Sequence, residues 1–199
     1  MNSSLGTTAN KREIFDFPKL PLASSLIGER LDGKNMIIRE ENESDIADIT
    51  AVHNQAFNGP DEGKIVRNLR KSNNLTISLV AEANGKTIGH IAYSPIYNKN
   101  KEIIGIGLAP VAVSPSHQKQ GIGSKLIKKG NEIALSKGFK RIFVLGETEY
   151  YCRFGFEIAK NYNYFSCFDP EGNHFMVLGE KLKKESEKTS VHYCKEFNV

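Results

Sequence analysis

The chain has 199 residues, a formal net charge of +4, 39% hydrophobic and 25% charged residues. That length supports one domain with a full core rather than two, and the composition excludes a disordered or fibrous chain. No apolar run approaches the roughly 20 residues that cross a bilayer, and there is no zinc spacing, basic zipper or aromatic RNA-binding signature; neither a membrane nor a nucleic acid is therefore expected as a partner.

Residues 1–35 stand apart: Met1 to Asn10 is polar, Phe17-Pro-Lys-Leu-Pro21 is punctuated by proline, and no steady period follows. They read as an N-terminal extension, disordered or packed on the surface. Leu22 to Ile27 is too short and too late for a secretory signal. The domain is expected over residues 36–199. Met36 to Glu40 reads as a strand, and Ile46, Ile49, Val52, His53 and Ala56 recur at helical spacing behind a cap at Asn42 or Ser44. A second helix from Asp61 to Lys71 turns Ile65, Val66 and Leu69 inward and places Asp61 and Glu62 at its start.

Leu75 to Ala83 and Thr87 to Tyr97 flank Asn84-Gly85, the signature of a hairpin. Ile103 to Val113 is mostly apolar and suits a central strand, with Pro110 marking an irregularity because it has no N–H for the ladder. A helix from Ser124 ends at Lys137-Gly138, and Arg141 to Gly146 is a further buried strand. A short helix is expected at Tyr150 to Phe154, a strand at Phe175 to Gly179, a charged excursion at Lys181 to Lys188 and a last strand over about 191–197.

Between the central strand and its following helix lies Ser114-Pro-Ser-His-Gln-Lys-Gln-Gly-Ile-Gly123. Gly121 and Gly123 remove side chains where a strand turns into a helix, so the first amides of the helix can converge on an anion. A Walker loop is excluded, since Gln118 stands where its first glycine belongs and Ser124 where its lysine belongs. The dinucleotide fingerprint fails at Leu126. Lys119, Lys125, Lys128 and Lys129 add positive potential nearby.

Gln118-x-x-Gly121-x-Gly123 resembles the acetyl-CoA signature of the GCN5-related N-acetyltransferases, and Tyr150-Tyr-Cys-Arg-Phe-Gly-Phe156 resembles the family's aromatic-Tyr-x-x-x-Gly-Phe segment. The resemblance covers about 36–182. It implies the acyl-CoA N-acyltransferase fold, a single α/β domain with a central mixed, mostly antiparallel sheet flanked by helices. It also implies transfer of an acetyl group from acetyl-CoA, as cosubstrate and without a metal, to a primary amine by direct attack in a ternary complex. Gln118, Lys119, Gln120, Gly121, Ile122, Gly123 and Ser124 would hold the pyrophosphate, and the backbone of Val111, Ala112 and Val113 the pantetheine arm and thioester. Tyr151 takes the place of the general acid, with Tyr150 pointing elsewhere. Glu147 is the first candidate for the base and Glu62 the second, because an ammonium must lose a proton before attack. Phe57, Asp61, Glu62 and the Tyr162 to Phe168 stretch are expected on the acceptor side, and His90 and His117 as packing or surface residues.

The chain departs from the family pattern where many relatives carry asparagine seven residues before the tyrosine: Val144 stands there, a version that resembles the YhbS-like branch. A non-catalytic acyl-CoA-binding sensor is the alternative function. Cys152, Cys167 and Cys194 are odd in number and widely spaced, which suits incidental thiols in a reducing compartment, and a cytoplasmic monomer or homodimer is expected. The amine could be a small molecule or a peptide.

Overall fold

The computed structural model describes residues 27–31 and 34–198. The first strand, β1 (Ile27–Leu31), pairs antiparallel with β2 (Lys34–Glu40), so the sheet begins inside the stretch read as an extension. The Ile27–Leu31 run is short and half polar, so it shows no strand period of its own. The rest of that stretch, including the proline-punctuated segment, lies outside the described residues.

Asn42 caps a single tight turn over residues 43–45 that leads into α1 (Ile46–Phe57), and α2 (Asp61–Lys71) follows after Pro60. The helices bury Ile49, Val52 and His53, and Ile65, Val66 and Leu69, as their periodicity requires. The hairpin is β3 (Ile77–Ala83) and β4 (Lys86–Tyr97), and β5 (Ile103–Val113) runs antiparallel to β4. Beyond the glycine loop come α3 (Ile122–Ser136), β6 (Ile142–Leu145) and the one-turn α4 (Thr148–Tyr151). The short strands β7 (Glu157–Ile158), β8 (Tyr164–Ser166), β9 (Phe175–Leu178) and β10 (Thr189–Val191) complete the described chain.

The main sheet has eight strands in the order β1-β2-β3-β4-β5-β6-β9-β7 and is antiparallel except where β5 meets β6. The fold class expected from the sequence is therefore found. The last strand is shorter than expected: Thr189–Val191 runs parallel to β8 in a separate pair, His192 makes a single antiparallel bridge to Tyr97 at the end of β4, and Lys195–Phe197 forms a tight helical turn. Alternation misleads here because the chain has two cores to fill, Val191 and Tyr193 packing in one, Cys194 and Phe197 in the other. Glu196 is buried beside the Asn74 amide, which closes that turn onto the loop after α2.

One face of the sheet packs on α3, with Tyr93, Ile106, Leu108 and Val144 against Leu126 and Ile127. Each such aliphatic side chain contributes about 1.5–3 kcal/mol on burial. Close approach is set by Gly130, where a Cβ would lie 2.5 Å from the Tyr93 ring. The opposite face is covered by α1 and α2 over β3 and β4, and by the C-terminal segment over Phe143 and Phe175. Among the described residues no helix is long and apolar enough to cross a membrane.

Candidate active site

Two irregularities in the central strands open the sheet. Strand β5 pairs with β6 only at Ile106 with Ile142 and Gly107 with Phe143, after which the two diverge. On the other edge of β5, Ile91 pairs with Val111 and Tyr93 with Leu108, so Ala109 and Pro110 together stand opposite the single residue Ala92. This is the irregularity that Pro110 signals. Past it, Val111, Ala112 and Val113 are paired on the β4 side alone, and their other edge faces a cleft.

The glycine loop closes one end of that cleft. The Gln118 side-chain amide donates to the Val113 carbonyl at 3.1 Å, tying the loop to the strand. Lys119 and Gly121 take left-handed backbone angles, φ 61° and 79°, and Gly121 caps α3. Among the described residues, the backbone N–H groups of 119–124 donate to no backbone carbonyl. They lie at the start of a helix of 15 residues, whose positive end favours an anion. The cavity beside them, about 620 Å³, is lined by Val111, Ala112, Val113 and the loop residues Gln118, Lys119, Gly121, Ile122, Gly123 and Ser124.

Three residues depart from expectation on this side. Gln120 does not line the cavity; its amide turns back to the Ser116 carbonyl at 3.4 Å. His117 and Arg153 do line it. Arg153 stacks over the Tyr150 ring, 4.5 Å from the centroid, and donates from Nε to the Tyr150 carbonyl. The lysines along the helix are less involved, Lys128 being exposed and Lys129 facing Glu132 at 3.8 Å.

A second cavity of about 760 Å³ lies on the other side of the split. Its floor is Leu108, Ala109, Pro110 and Val111, and one wall is Leu145, Gly146, Glu147, Tyr150 and Tyr151. Phe57, Glu62 and Ile65 supply a wall from α1 and α2, and Phe168, Tyr193 and Phe197 another from the C-terminal segment. Val111 and Tyr150 line both cavities, so the two meet there.

Tyr151 is 8% exposed, its ring set against Phe156 and against the backbone at Gly146. Burial, and then the neighbouring Tyr150, push its pKa up to about 12, so the phenol keeps its proton at physiological pH. Tyr150 does not point elsewhere, as a regular helix suggests. The two rings meet edge to face at 5.1 Å, and a Cβ on Gly123 would lie 3.2 Å from the Tyr150 hydroxyl. A helix of a single turn, continued by a tighter one, allows adjacent side chains to reach the same cleft.

Glu147, exposed, and Glu62, half-buried, face the same cavity from opposite elements. Asp61 instead pairs with Lys64 outside it, at 2.8 Å, and of the aromatic stretch only Phe168 reaches the cavity. Val144, seven residues before Tyr151, is buried in the α3 core. The Tyr193 ring packs over Gly107, where β5 and β6 part, and its hydroxyl is buried with no hydrogen-bond partner among the described residues.

Behind Phe57 lies a polar chain that no local pattern announces. His53 stacks on Phe57 and meets His90 at 2.8 Å; His90 reaches Ser78 at 2.8 Å, and Ser78 donates to Glu41 at 2.5 Å. Glu41 is held in both arms of Arg70 at 2.7 Å. Burial opposes the Glu41 charge, but Arg70, His90 and Ser78 outweigh it and hold its carboxyl well below the usual range. His90, fully buried, is thus a packing residue, as one of the two expectations had it, and is also a member of this network.

Comparison with known proteins adds a second line. The sequence pattern of the acetyltransferase (GNAT) family matches residues 46–156. The chain is 33% identical over 129 residues to the uncharacterized N-acetyltransferase YhbS of Escherichia coli K12, a span of 64% of this chain and 77% of that relative. It is 37% identical over 119 residues to YjhQ of the same strain, 57% of this chain and 65% of that one. Among solved structures it superposes on YhbS from Escherichia coli in complex with CoA with a TM-score of 0.77, 29% identity, and coverage of 82% and 92%. A Brucella melitensis acetyltransferase in complex with acetyl-CoA gives 0.69, 35% identity, and coverage of 81% and 97%.

Proposed function

The chain belongs to the acetyltransferase (GNAT) family, and from that premise we propose that it transfers an acetyl group from acetyl-CoA to a primary amine by direct attack in a ternary complex. The observation that carries this reading is the junction of an anion cradle and an acceptor cavity at Val111 and Tyr150, with Tyr151 on the same wall. The residues suit the cosubstrate. Unpaired loop amides answer a pyrophosphate, and the free edge of Val111 to Val113 answers an amide-bearing arm.

The amine enters as an ammonium, whose pKa an apolar cavity lowers, and Glu147 or Glu62 accepts its proton directly or through water. The nitrogen lone pair then forms the C–N bond at the thioester carbon while backbone N–H groups at the strand edge receive the charge growing on oxygen. As the C–S bond breaks, Tyr151 donates to the departing sulfur. A phenol at about 12 is a weaker acid than a thiol near 8.5, so its main contribution is a charge-assisted hydrogen bond. The second proton lost by the nitrogen restores the pair as thiol and phenol. The products are the acetylated amine, free CoA thiol and one proton released to solvent.

Cys152 is exposed and donates to the Glu149 carbonyl, with no base hydrogen-bonded to it among the described residues, so a covalent acyl-enzyme is not part of the scheme. The protein is read as cytoplasmic and as a monomer or homodimer. Incubation with acetyl-CoA and a panel of primary amines, followed by thiol release and mass spectrometry, tests the proposal. Thiol and acetylated amine are expected in equal amounts. Tight acetyl-CoA binding with no amine-dependent release would favour a sensor instead.

A further inference from the structure

The acceptor cavity holds an unusual share of the apolar surface left uncovered. The large hydrophobic side chains that remain exposed among the described residues are Phe57 at 44%, Leu145 at 40% and Phe168 at 47%, and all of them stand on this one cavity. They come from three separate parts of the chain: the end of α1, the end of β6 and the loop after β8. Exposed apolar groups gathered at one concave site mark it as built to cover an apolar ligand. Tyr193 and Phe197 continue the same wall inward.

The charge on the lining is equally selective. Among the described residues, Glu62 and Glu147 are the only charged side chains that line the cavity, and no Lys or Arg does. Such a lining attracts an ammonium, aided by aromatic faces. Among the described residues it offers no cationic side chain to pair with a carboxylate or phosphate, whose burial without a counter-charge is costly. The volume, about 760 Å³, suits a small molecule together with the reacting end of the cosubstrate.

Resting on the acetyl-transfer reading above, we infer that the acceptor is a small primary amine carried on an aromatic or bulky apolar body and lacking an anionic group, with Phe57, Leu145 and Phe168 setting that preference. The ammonium end lies toward the glutamates and the thioester, and the apolar body is covered by the exposed side chains. An α-amino acid is rejected by its carboxylate. A short polar amine is accepted weakly because it leaves those side chains wet.

The test compares phenethylamine with phenylalanine, which adds a carboxylate, and with ethanolamine, which removes the apolar body, each at saturating acetyl-CoA. Thiol release is expected to favour phenethylamine in kcat/KM by at least about tenfold over either, the factor for about 1.4 kcal/mol of covered apolar surface. Phe168→Ala should raise the phenethylamine KM about tenfold, and Phe168→Leu should restore most of it. Calorimetry of phenethylamine on the CoA-loaded protein should show the same weakening, while the acetyl-CoA Kd and the unfolding temperature stay as in the parent. Turnover of phenylalanine or ethanolamine in place of phenethylamine overturns the inference and leaves acetyl transfer standing; no thiol release with any amine overturns both. Sedimentation of the parent as a dimer that Phe168→Ala separates would also overturn it, because a second copy would then cover these side chains.

Discussion

Gly146→Ala tests whether the position of the Tyr151 hydroxyl matters to turnover without touching the hydroxyl itself. The backbone at Gly146 is not left-handed, so alanine meets no conformational barrier there. Its Cβ, however, would overlap Cε2 of the Tyr151 ring and come within 3.1 Å of Cδ2. The ring cannot swing freely, being packed against Phe156 at 5.8 Å and Tyr150 at 5.1 Å between centroids. To regain ordinary contact it must withdraw by about 1 Å. A displacement of that size in a positioned catalytic group costs about 100-fold in rate, and the overpacking about 1–3 kcal/mol in stability. Steady-state thiol release should show the loss in kcat, and calorimetry an acetyl-CoA Kd within about twofold of the parent, since the loop is untouched. Combining Gly146→Ala with Tyr151→Phe should cost no more than the worse single change, because both disable one interaction. A Gly146→Ala protein with parental kcat would refute the role given to Tyr151.

Two further outcomes are expected. Gly123→Val introduces a side chain 3.2 Å from the Tyr150 hydroxyl and into the anion cradle, and acetyl-CoA binding by calorimetry should weaken at least about tenfold with a smaller change in unfolding temperature. The second concerns acid. Burial first, and His90 next, lower the His53 pKa to about 3 from 6.5, so below about pH 6.5 the unfolded chain binds a proton that the folded one refuses. Stability therefore falls as pH drops from 6.5 toward 3, by up to about 1.4 kcal/mol per pH unit for this group. Glu41 acts in the same direction at lower pH: its folded pKa is depressed, so its contribution is present above about 4.5 and lost as pH falls further. Urea midpoints at pH 7 and pH 5.5 should separate less in His53→Gln than in the parent; equal separation would remove His53 from the account.

How far the sequence carried these conclusions differs by residue. The glycine loop and the Tyr151 segment were legible because their signals are local: Gly121 and Gly123 sit where a strand turns into a helix, and the aromatic spacing around Gly155 is short-range. The inner faces of α1 and α2 followed from their period. The direction of Tyr150 is not legible in the sequence, because a regular helix sends neighbours apart, whereas α4 lasts a single turn. The C-terminal wall of the acceptor cavity was largely hidden. Phe168 was proposed within a longer stretch, but Tyr193 and Phe197 reach the site only because the last segment folds over β5 and β6. The His53–His90 contact joins a helix to a strand 37 positions away, and no local pattern announces such a pair.

Tyr151→Phe separates binding from turnover most directly. Losing a hydrogen bond to a charged sulfur costs about 1.5–3 kcal/mol, or roughly 10- to 150-fold in rate. Thiol release per enzyme should fall by that factor while the acetyl-CoA Kd, measured by calorimetry on the same preparation, stays unchanged, and Tyr150→Phe should fall less. Parental turnover in Tyr151→Phe, or a collapse confined to Tyr150→Phe, would contradict the role given to Tyr151.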